Sequence, residues 1–194
     1  QSGAVRFLAH MIPPQGGAYT AGCWGWTDAG SGREYALLGN RCGTSIVEIT
    51  DPENLVERDF VPGVCSSWRE IQTYSHYAYV VSEGGRGTQI IDLSPLPDSA
   101  RLVKNFVYKL GIDSTDRVHT LHIRDGYMYL NGCAHWAPGG IVIFDLQDPE
   151  NPLIVSAYAG NYVHDCFVRN TTIYGAEIYG VGIDIIDVTN KFRP

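Results

Sequence analysis

The residues of this chain that could bind a metal or a ligand are mostly histidines and carboxylates. They lie at equivalent places in successive segments of the sequence. The paired polar residues that open successive β-rich runs are Thr27-Asp28, Arg69-Glu70, His119-Thr120 and His164-Asp165. Imidazole nitrogens and carboxylate oxygens are the ligands that Zn²⁺ and related divalent cations take from proteins. His119, His164 and Asp165 are therefore candidates for a divalent metal site, although none lies in a tight spacing such as His-x-x-x-His. The sequence points to no other cofactor.

Aromatic and charged residues near these pairs suggest binding. A tryptophan ring offers a large contact area to a sugar or a peptide, or it can pack one repeat on the next. We interpret Trp24 and Trp68 as packing residues. Trp136 follows His135 in a loop between two predicted strands, so we expect its side chain to be exposed. The candidate ligand-binding residues are Trp26, Arg69, Glu70, His119, His135, Trp136, His164 and Asp165. No catalytic residue is assigned, because the sequence has no nucleophile elbow, zinc-protease motif or phosphate-binding loop.

A phrase that returns four times along the chain indicates how these residues are positioned. A glycine, two variable residues, two apolar residues and an acid recur, and the acids are 44, 53 and 42 residues apart. Each phrase lies among three further short runs rich in β-branched and aromatic residues, with turn residues between them. Self-similarity at this period indicates repeated blades or stacked units. The sequence therefore predicts an all-β fold, a β-propeller of four-stranded antiparallel blades.

The phase of the repeats sets the expected boundaries. We expect one propeller domain or segment over 1–194, with blades at about 28–70, 71–118, 119–163 and 164–194. Residues 4–12 resemble a fourth strand, which could complete the last blade and close a four-bladed ring. The alternative is that the chain is part of a larger ring. The phasing fits both.

The repeat acids and the cysteines are expected to serve the fold. The acids that end the four phrases are Glu48, Asp92, Asp145 and Asp187. Each precedes a turn, where a carboxylate can accept backbone N–H bonds, so we interpret them as structural. Cys42 and Cys65 lie in loops of the kind that emerge on one face of a propeller. They are the first candidates for a disulfide. Cys23, like Cys65, is expected just before a first strand, and Cys133, like Cys42, in a loop between second and third strands.

Net charge and composition make some classes of partner unexpected for this chain. The chain has a net charge of −7, so a polyanion such as nucleic acid is not an expected partner. Hydrophobic residues make up 44% of the sequence, which is ordinary for a globular protein. No run approaches the roughly 18 to 20 apolar residues of a membrane span, so no transmembrane segment is expected.

Several motifs resemble the choice-of-anchor B family of LVIVD-repeat proteins. The segments that carry the resemblance are Cys23-Trp24-Gly25-Trp26, Val47-Glu48-Ile49-Thr50-Asp51-Pro52, Ser67-Trp68-Arg69-Glu70-Ile71, Tyr162-Val163-His164-Asp165 and Ile185-Ile186-Asp187-Val188-Thr189. The resemblance covers nearly the whole chain. It implies a bacterial propeller that is secreted or displayed at the cell surface, and it favours a ring larger than four blades.

Two function classes follow. The first is an extracellular or cell-surface binding or scaffold module that uses its loop-bearing face, at the channel mouth, for a protein or glycan partner. The second is a metal-assisted enzyme with a His/Asp site at the same mouth. Because propellers host both kinds of function, the predicted fold does not decide between them. We expect His119, His135, Trp136, His164 and Asp165 to lie in one cleft.

Overall fold

The computed structural model describes residues 5–136, 139–180 and 182–192, which are all β with no helix. None of the described segments is therefore a helix long and apolar enough to cross a bilayer. Sheet 1 consists of β1 (Thr20–Thr27), β2 (Glu34–Asn40), β3 (Gly43–Glu48) and β4 (Val56–Pro62). Sheet 2 consists of β5 (Arg69–Tyr74), β6 (Tyr77–Ser82), β7 (Thr88–Asp92) and β8 (Arg101–Phe106).

The second half of the chain repeats this arrangement after a short hairpin. The hairpin consists of β9 (Lys109–Leu110) and β10 (Asp113–Ser114). Sheet 3 consists of β11 (Thr120–Arg124), β12 (Tyr127–Asn131), β13 (Ile141–Asp145) and β14 (Leu153–Tyr158). Sheet 4, in the described residues, consists of β15 (Val163–Arg169), β16 (Thr172–Glu177) and β17 (Ile183–Asp187). Each sheet is an antiparallel meander, and within the described ranges none closes on itself.

The recurring phrase forms the third strand of every sheet, so the predicted all-β fold with four-stranded antiparallel units is confirmed for sheets 1 to 3. The pairing of third and fourth strands also shifts register at the same phrase position. The shifts fall between Ile46 and Val47, between Ile90 and Ile91, and between Ile143 and Phe144. Such an irregularity bends a strand and increases its twist. The units therefore share a backbone feature as well as a sequence pattern.

The core lies between consecutive sheets. Ile46 of sheet 1 packs in one cluster with Val80 of sheet 2, and Tyr79 of sheet 2 packs in another with Met128 of sheet 3. A third cluster joins sheets 3 and 4. The first strands of successive sheets are also in contact, β1 with β5, β5 with β11 and β11 with β15. The openings of these strands are thereby brought to one region.

One face of sheet 4 is uncovered. Ile46, Ile90 and Ile143 occupy the fourth phrase position in sheets 1 to 3, and each is 0% exposed. Ile185 at the same position of sheet 4 is 61% exposed, and its cross-strand neighbour Tyr174 is 38% exposed. In sheets 1 to 3 this face is covered by the next sheet. Among the described residues, nothing covers it in sheet 4.

The N-terminal part departs from expectation. A strand is expected over 4–12, but residues 5–12 form none. Its contacts are instead with sheet 1: Arg6 pairs with Glu53 at 2.8 Å and the Gln15 backbone N–H donates to Glu57 of β4, so within the described residues this segment does not pair with β17 of sheet 4. The sheets themselves span 20–62, 69–106, 120–158 and 163–187.

The first repeat is therefore shifted in sequence. Thr27 ends β1 instead of opening a strand, and Asp28 lies in the turn that follows. Its carboxylate accepts the backbone N–H groups of Gly30 and Ser31 there. Cys23, expected just before this strand, lies within it.

A disulfide joins Cys42 to Cys65, the pair that the sequence placed first. Cys42 lies in the turn between β2 and β3, and Cys65 lies in the connection from sheet 1 to sheet 2. Cys23 is free and exposed, whereas Cys133 and Cys166 are free and buried. Burial raises the pKa of the Cys133 and Cys166 thiols to about 12, so both are protonated at neutral pH. The disulfide thus links the two sheets at the end where the loops gather.

The repeat acids make turn contacts in three sheets and ion pairs in one. The carboxylates accept the N–H group two residues later in three cases: Asp92 from Ser94, Asp145 from Gln147 and Asp187 from Thr189. Glu48 instead accepts from Arg33 and Arg58, each at 2.6 Å. The acid at this phrase position thus holds the following turn in sheets 2 to 4 and forms ion pairs in sheet 1.

The turn acids are expected to differ in their contribution to stability, although the sequence alone predicts equal losses of about 1–2 kcal/mol. Asp92 is nearly buried and also bonds the Ser94 hydroxyl and Arg101. Asp145 is more exposed. We expect Asp92→Ala to lower the free energy of unfolding by about 2 kcal/mol and Asp145→Ala by about 1 kcal/mol. Urea denaturation measures both, and equal losses would contradict the prediction.

The pH dependence of the Asp92 contribution follows from its pKa. Burial acts to raise the pKa of Asp92, but hydrogen bonds from Ser94 and Arg101 outweigh it, so the pKa lies below its usual value. A carboxyl group with a depressed pKa stabilises the fold above its unfolded pKa and loses that contribution as the pH falls through the folded one. The gap between wild type and Asp92→Ala should therefore narrow below about pH 4.

Candidate functional site

The openings of the first strands surround a pocket, called the mouth pocket below. Its volume is about 330 Å³. The residues that carry its chemistry are Trp24, Trp68, Glu70, His119, His164 and Asp165. They come from β1, from β5 and the residue before it, from the residue before β11 and from β15. Because those strands are neighbours in space, residues far apart in sequence meet here.

Two histidines and a glutamate form a chain at the edge of the mouth pocket. His119 Nδ1 lies 2.7 Å from Glu83 Oε1, and His119 Nε2 lies 2.7 Å from His164 Nε2. With both rings neutral, Nδ1–H of His119 donates to Glu83 and Nε2–H of His164 donates to His119. Burial and the neighbouring His119 lower the pKa of His164, which favours its neutral form. The two hydrogen bonds thus link the Glu83 carboxylate to both imidazole rings.

Glu70 and Asp165 supply negative charge to the same pocket. Burial and the charge of Asp165 raise the pKa of Glu70, while His119 acts in the opposite direction. Asp165 Oδ1 accepts the backbone N–H of Cys166 at 2.8 Å. Within the described residues, no hydrogen bond or ion pair holds the Glu70 carboxylate. The Glu70 carboxylate therefore accepts fewer hydrogen bonds than the Asp165 carboxylate.

Thr120 ties β11 to β15 below these groups. Its Oγ1 lies 2.8 Å from the carbonyl oxygen of His164 and 3.2 Å from Asp165 Oδ1. It accepts a hydrogen bond from Asn131 Nδ2 at 3.1 Å. This network positions His164 and Asp165 relative to His119. The His119-Thr120 opening thus contributes one residue to the pocket and one to its support.

The two tryptophans of the mouth pocket are half exposed. Sequence reasoning assigned Trp24 and Trp68 to packing, but they are 39% and 53% exposed and line the pocket. The Trp24 indole donates to Thr73 Oγ1 at 3.0 Å, and the Trp68 ring centroid lies 5.8 Å from that of His119. Their rings are therefore anchored at one side and available at the other.

Arg69 and Trp26, two candidate ligand-binding residues, have structural contacts. Arg69 is 1% exposed, and its guanidinium donates to the carbonyl oxygens of Asn40 and Val64. Trp26 packs against Tyr35 and donates to a backbone carbonyl at the far end of sheet 2. Burial of Arg69 and the distance of Trp26 from the strand openings place both between sheets 1 and 2, away from the mouth pocket.

The expected cleft of five residues is divided. His119, His164 and Asp165 line the mouth pocket, whereas His135 and Trp136 line a second pocket of about 470 Å³. A Cβ on Gly132 would touch both His119 and Tyr162, and Tyr162 lines the second pocket. The two pockets are therefore adjacent.

Trp136 is buried, which corrects the expectation that it is exposed. It is 6% exposed and packs beside Tyr108 in the core between sheets 2 and 3. The hairpin of β9 and β10 contacts its loop, since Ser114 pairs with His135. His135 stays half exposed and its Nδ1 bonds Asp116 Oδ1 at 2.8 Å. The neighbouring residues 137 and 138 lie outside the described residues.

Glu83 was missed by sequence reasoning, although a signal was present. It follows β6, in the loop between second and third strands, which is the class of loop expected to ring the mouth. An acid in that loop, one sheet before a histidine at a strand opening, could have been paired with it. The three metal candidates, His119, His164 and Asp165, do line the same pocket, but they are not arranged as a set of metal ligands. In the described residues, no three His, Cys, Asp or Glu side chains are arranged to hold a metal ion.

Comparison with known proteins finds no match for this chain. No protein-family model matches the chain, and a search of curated proteins finds no similar sequence.

Proposed function

We propose that the four sheets are blades of a β-propeller, either a four-bladed ring or part of a larger one. The support is the repeat period, the packing of each sheet on the next and the contacts between successive first strands. The motifs shared with LVIVD-repeat proteins support the same architecture. On this proposal, the mouth pocket lies where the blades meet the central channel.

The function proposed is that of a binding or scaffold module, with a protein or glycan partner seated at the mouth pocket. One observation carries it: equivalent strand openings hold different side chains, and these converge on one pocket with two half-exposed tryptophans. Residues that serve only the fold tend to repeat from sheet to sheet, as the apolar phrase positions do. Variation at matched positions is what a specific ligand requires. No observation favours the metal-assisted enzyme over this function.

An extracellular or cell-surface location is part of the proposal. Disulfides persist mainly in oxidising compartments, and Cys42 and Cys65 are bonded. The family resemblance points the same way, since it implies a secreted or displayed protein.

The test is a comparison of variants on a glycan array and a peptide library. Trp68→Ala removes the most exposed ring of the pocket, while Phe192→Ala removes an exposed ring that does not line it. We expect at least one ligand to bind wild type and Phe192→Ala equally and to bind Trp68→Ala about tenfold more weakly. The proposal is wrong if no ligand binds the wild type, or if every ligand that binds it has the same affinity for Trp68→Ala.

A further inference from the structure

The charge around the mouth pocket is one-sided. Glu70 and Asp165 both line it, and Glu83 stands behind His119. Among the described residues that line the pocket there is no lysine and no arginine. Arg69 is next to Glu70 in sequence, but its guanidinium is turned into the sheet interface towards Asn40 and Val64. The carboxylates are thus without a fixed positive partner.

Glu70 is held in place without being neutralised. A Cβ on Gly22 would come within 2.4 Å of Glu70 Oε2, so this carboxylate lies directly against the backbone of β1. On strand β5 it pairs with Val81 across the sheet, and its backbone is therefore fixed. Glu70 is half-buried and makes no hydrogen bond within the described residues, so its carboxylate is open to a donor on a ligand.

The tryptophans complete the chemistry. An aromatic face attracts a cation through its quadrupole, and Trp is the strongest of the side chains in this respect. Trp24 and Trp68 line the same pocket as Glu70 and are the half-exposed rings there. Aromatic faces beside carboxylates are complementary to a cation with an apolar stem. A sugar could stack on the tryptophan rings, but it would not neutralise the negative charge of the two carboxylates.

We propose that the mouth pocket binds an organic cation, the ammonium or guanidinium group of a basic side chain on a protein partner. The inference rests on the proposed function, because it names the ligand class of the same pocket. Burial and, after it, the charge of Asp165 raise the pKa of Glu70, and a cation bound beside these carboxylates would offset both effects. The volume of about 330 Å³ accommodates one side chain.

The test is an NMR titration of the intact chain followed at the indole N–H signals of Trp24 and Trp68. The probes are the Nα-acetyl methylamides of lysine and arginine, the neutral norleucine analogue and tetramethylammonium. We expect the lysine or arginine probe to shift both signals saturably, and the norleucine probe to bind at least about tenfold more weakly. Stronger binding of tetramethylammonium than of both amino-acid probes would overturn the assignment to a partner side chain.

Glu70→Gln and Glu34→Gln are the matched variants. Glu34 is exposed and pairs with Thr27 at the far end of β1. We expect Glu70→Gln to weaken cation binding about tenfold and Glu34→Gln to leave it unchanged. Because the fold disfavours the charge of Glu70, the glutamine variant should remain folded. Unchanged binding by Glu70→Gln would overturn the inference.

The outcome separates this inference from the proposed function. If a neutral glycan or peptide binds in a Trp68-dependent way and the cationic probes cause no response, the cation site is rejected. The proposed function as a binding module then still stands. A saturable response to lysine or arginine with no Trp68-dependent library ligand would keep the cation site and reject the broader function.

Discussion

Replacing Ile90 by alanine is expected to lower the free energy of unfolding by about 3 kcal/mol, and the same change at Ile185 by less than about 0.5 kcal/mol. The two residues occupy the same position of the repeated phrase. Ile90 is 0% exposed between sheets 2 and 3, so its truncation leaves a cavity. Ile185 is 61% exposed on the uncovered face of sheet 4, where truncation leaves none. Urea denaturation measures both losses.

A control separates burial within one chain from burial by association. Ile143→Ala, at the same phrase position of sheet 3, should behave like Ile90→Ala because Ile143 is also 0% exposed. The measurements are repeated at several protein concentrations, since self-association makes apparent stability depend on concentration. A loss at Ile185 as large as at Ile90 would show that the sheet 4 face is covered in solution.

Removing the Cys42–Cys65 disulfide is expected to cost about 3 kcal/mol. The two cysteines are 23 residues apart, and the cross-link limits the freedom of that segment in the unfolded chain. It also joins the turn of sheet 1 to the connection that leads into sheet 2. The double variant Cys42→Ser, Cys65→Ser should have a melting temperature well below that of the wild type. A reductant should lower the melting temperature of the wild type towards that of the variant.

Cys23→Ser is the control for this prediction. Cys23 is free and exposed, so its replacement should leave the melting temperature nearly unchanged with or without reductant. A wild-type protein insensitive to reductant, together with a double variant of equal stability, would show that the bond contributes nothing. It would also remove the main structural support for an oxidising location.

The mouth pocket was predictable in part. Equivalent strand openings in successive repeats must lie near one another, so His119, His164 and Asp165 could be brought together from their spacing. Trp136 could not be placed in the same way. Its loop looks exposed in sequence, but Ser114 of the β9–β10 hairpin pairs with His135, and the ring packs beside Tyr108 in the core between sheets 2 and 3. Such contact depends on a connection that has no counterpart in the other repeats.

The first repeat shows a different limit. Thr27-Asp28 resembles the polar pairs of the later repeats, yet β1 ends there and the pocket receives Trp24 from the middle of the strand. Register along a strand is decided by which face is buried, because a shift of one residue exchanges the two faces. A polar pair alone does not carry that information. The roles of Trp24 and Trp68 as pocket residues therefore emerged only from the structure.

By itself, the sequence determined the all-β class, the four-stranded unit and the order of its strands. These depend on local alternation, turn residues and the repeat, which are properties of neighbouring positions. The tertiary structure alone decided that Ile185 is exposed while Ile90 is buried, that Arg69 is turned inward and that Glu83 reaches His119. Identical phrases have different environments because burial is set by what packs on a face, and that lies outside the phrase.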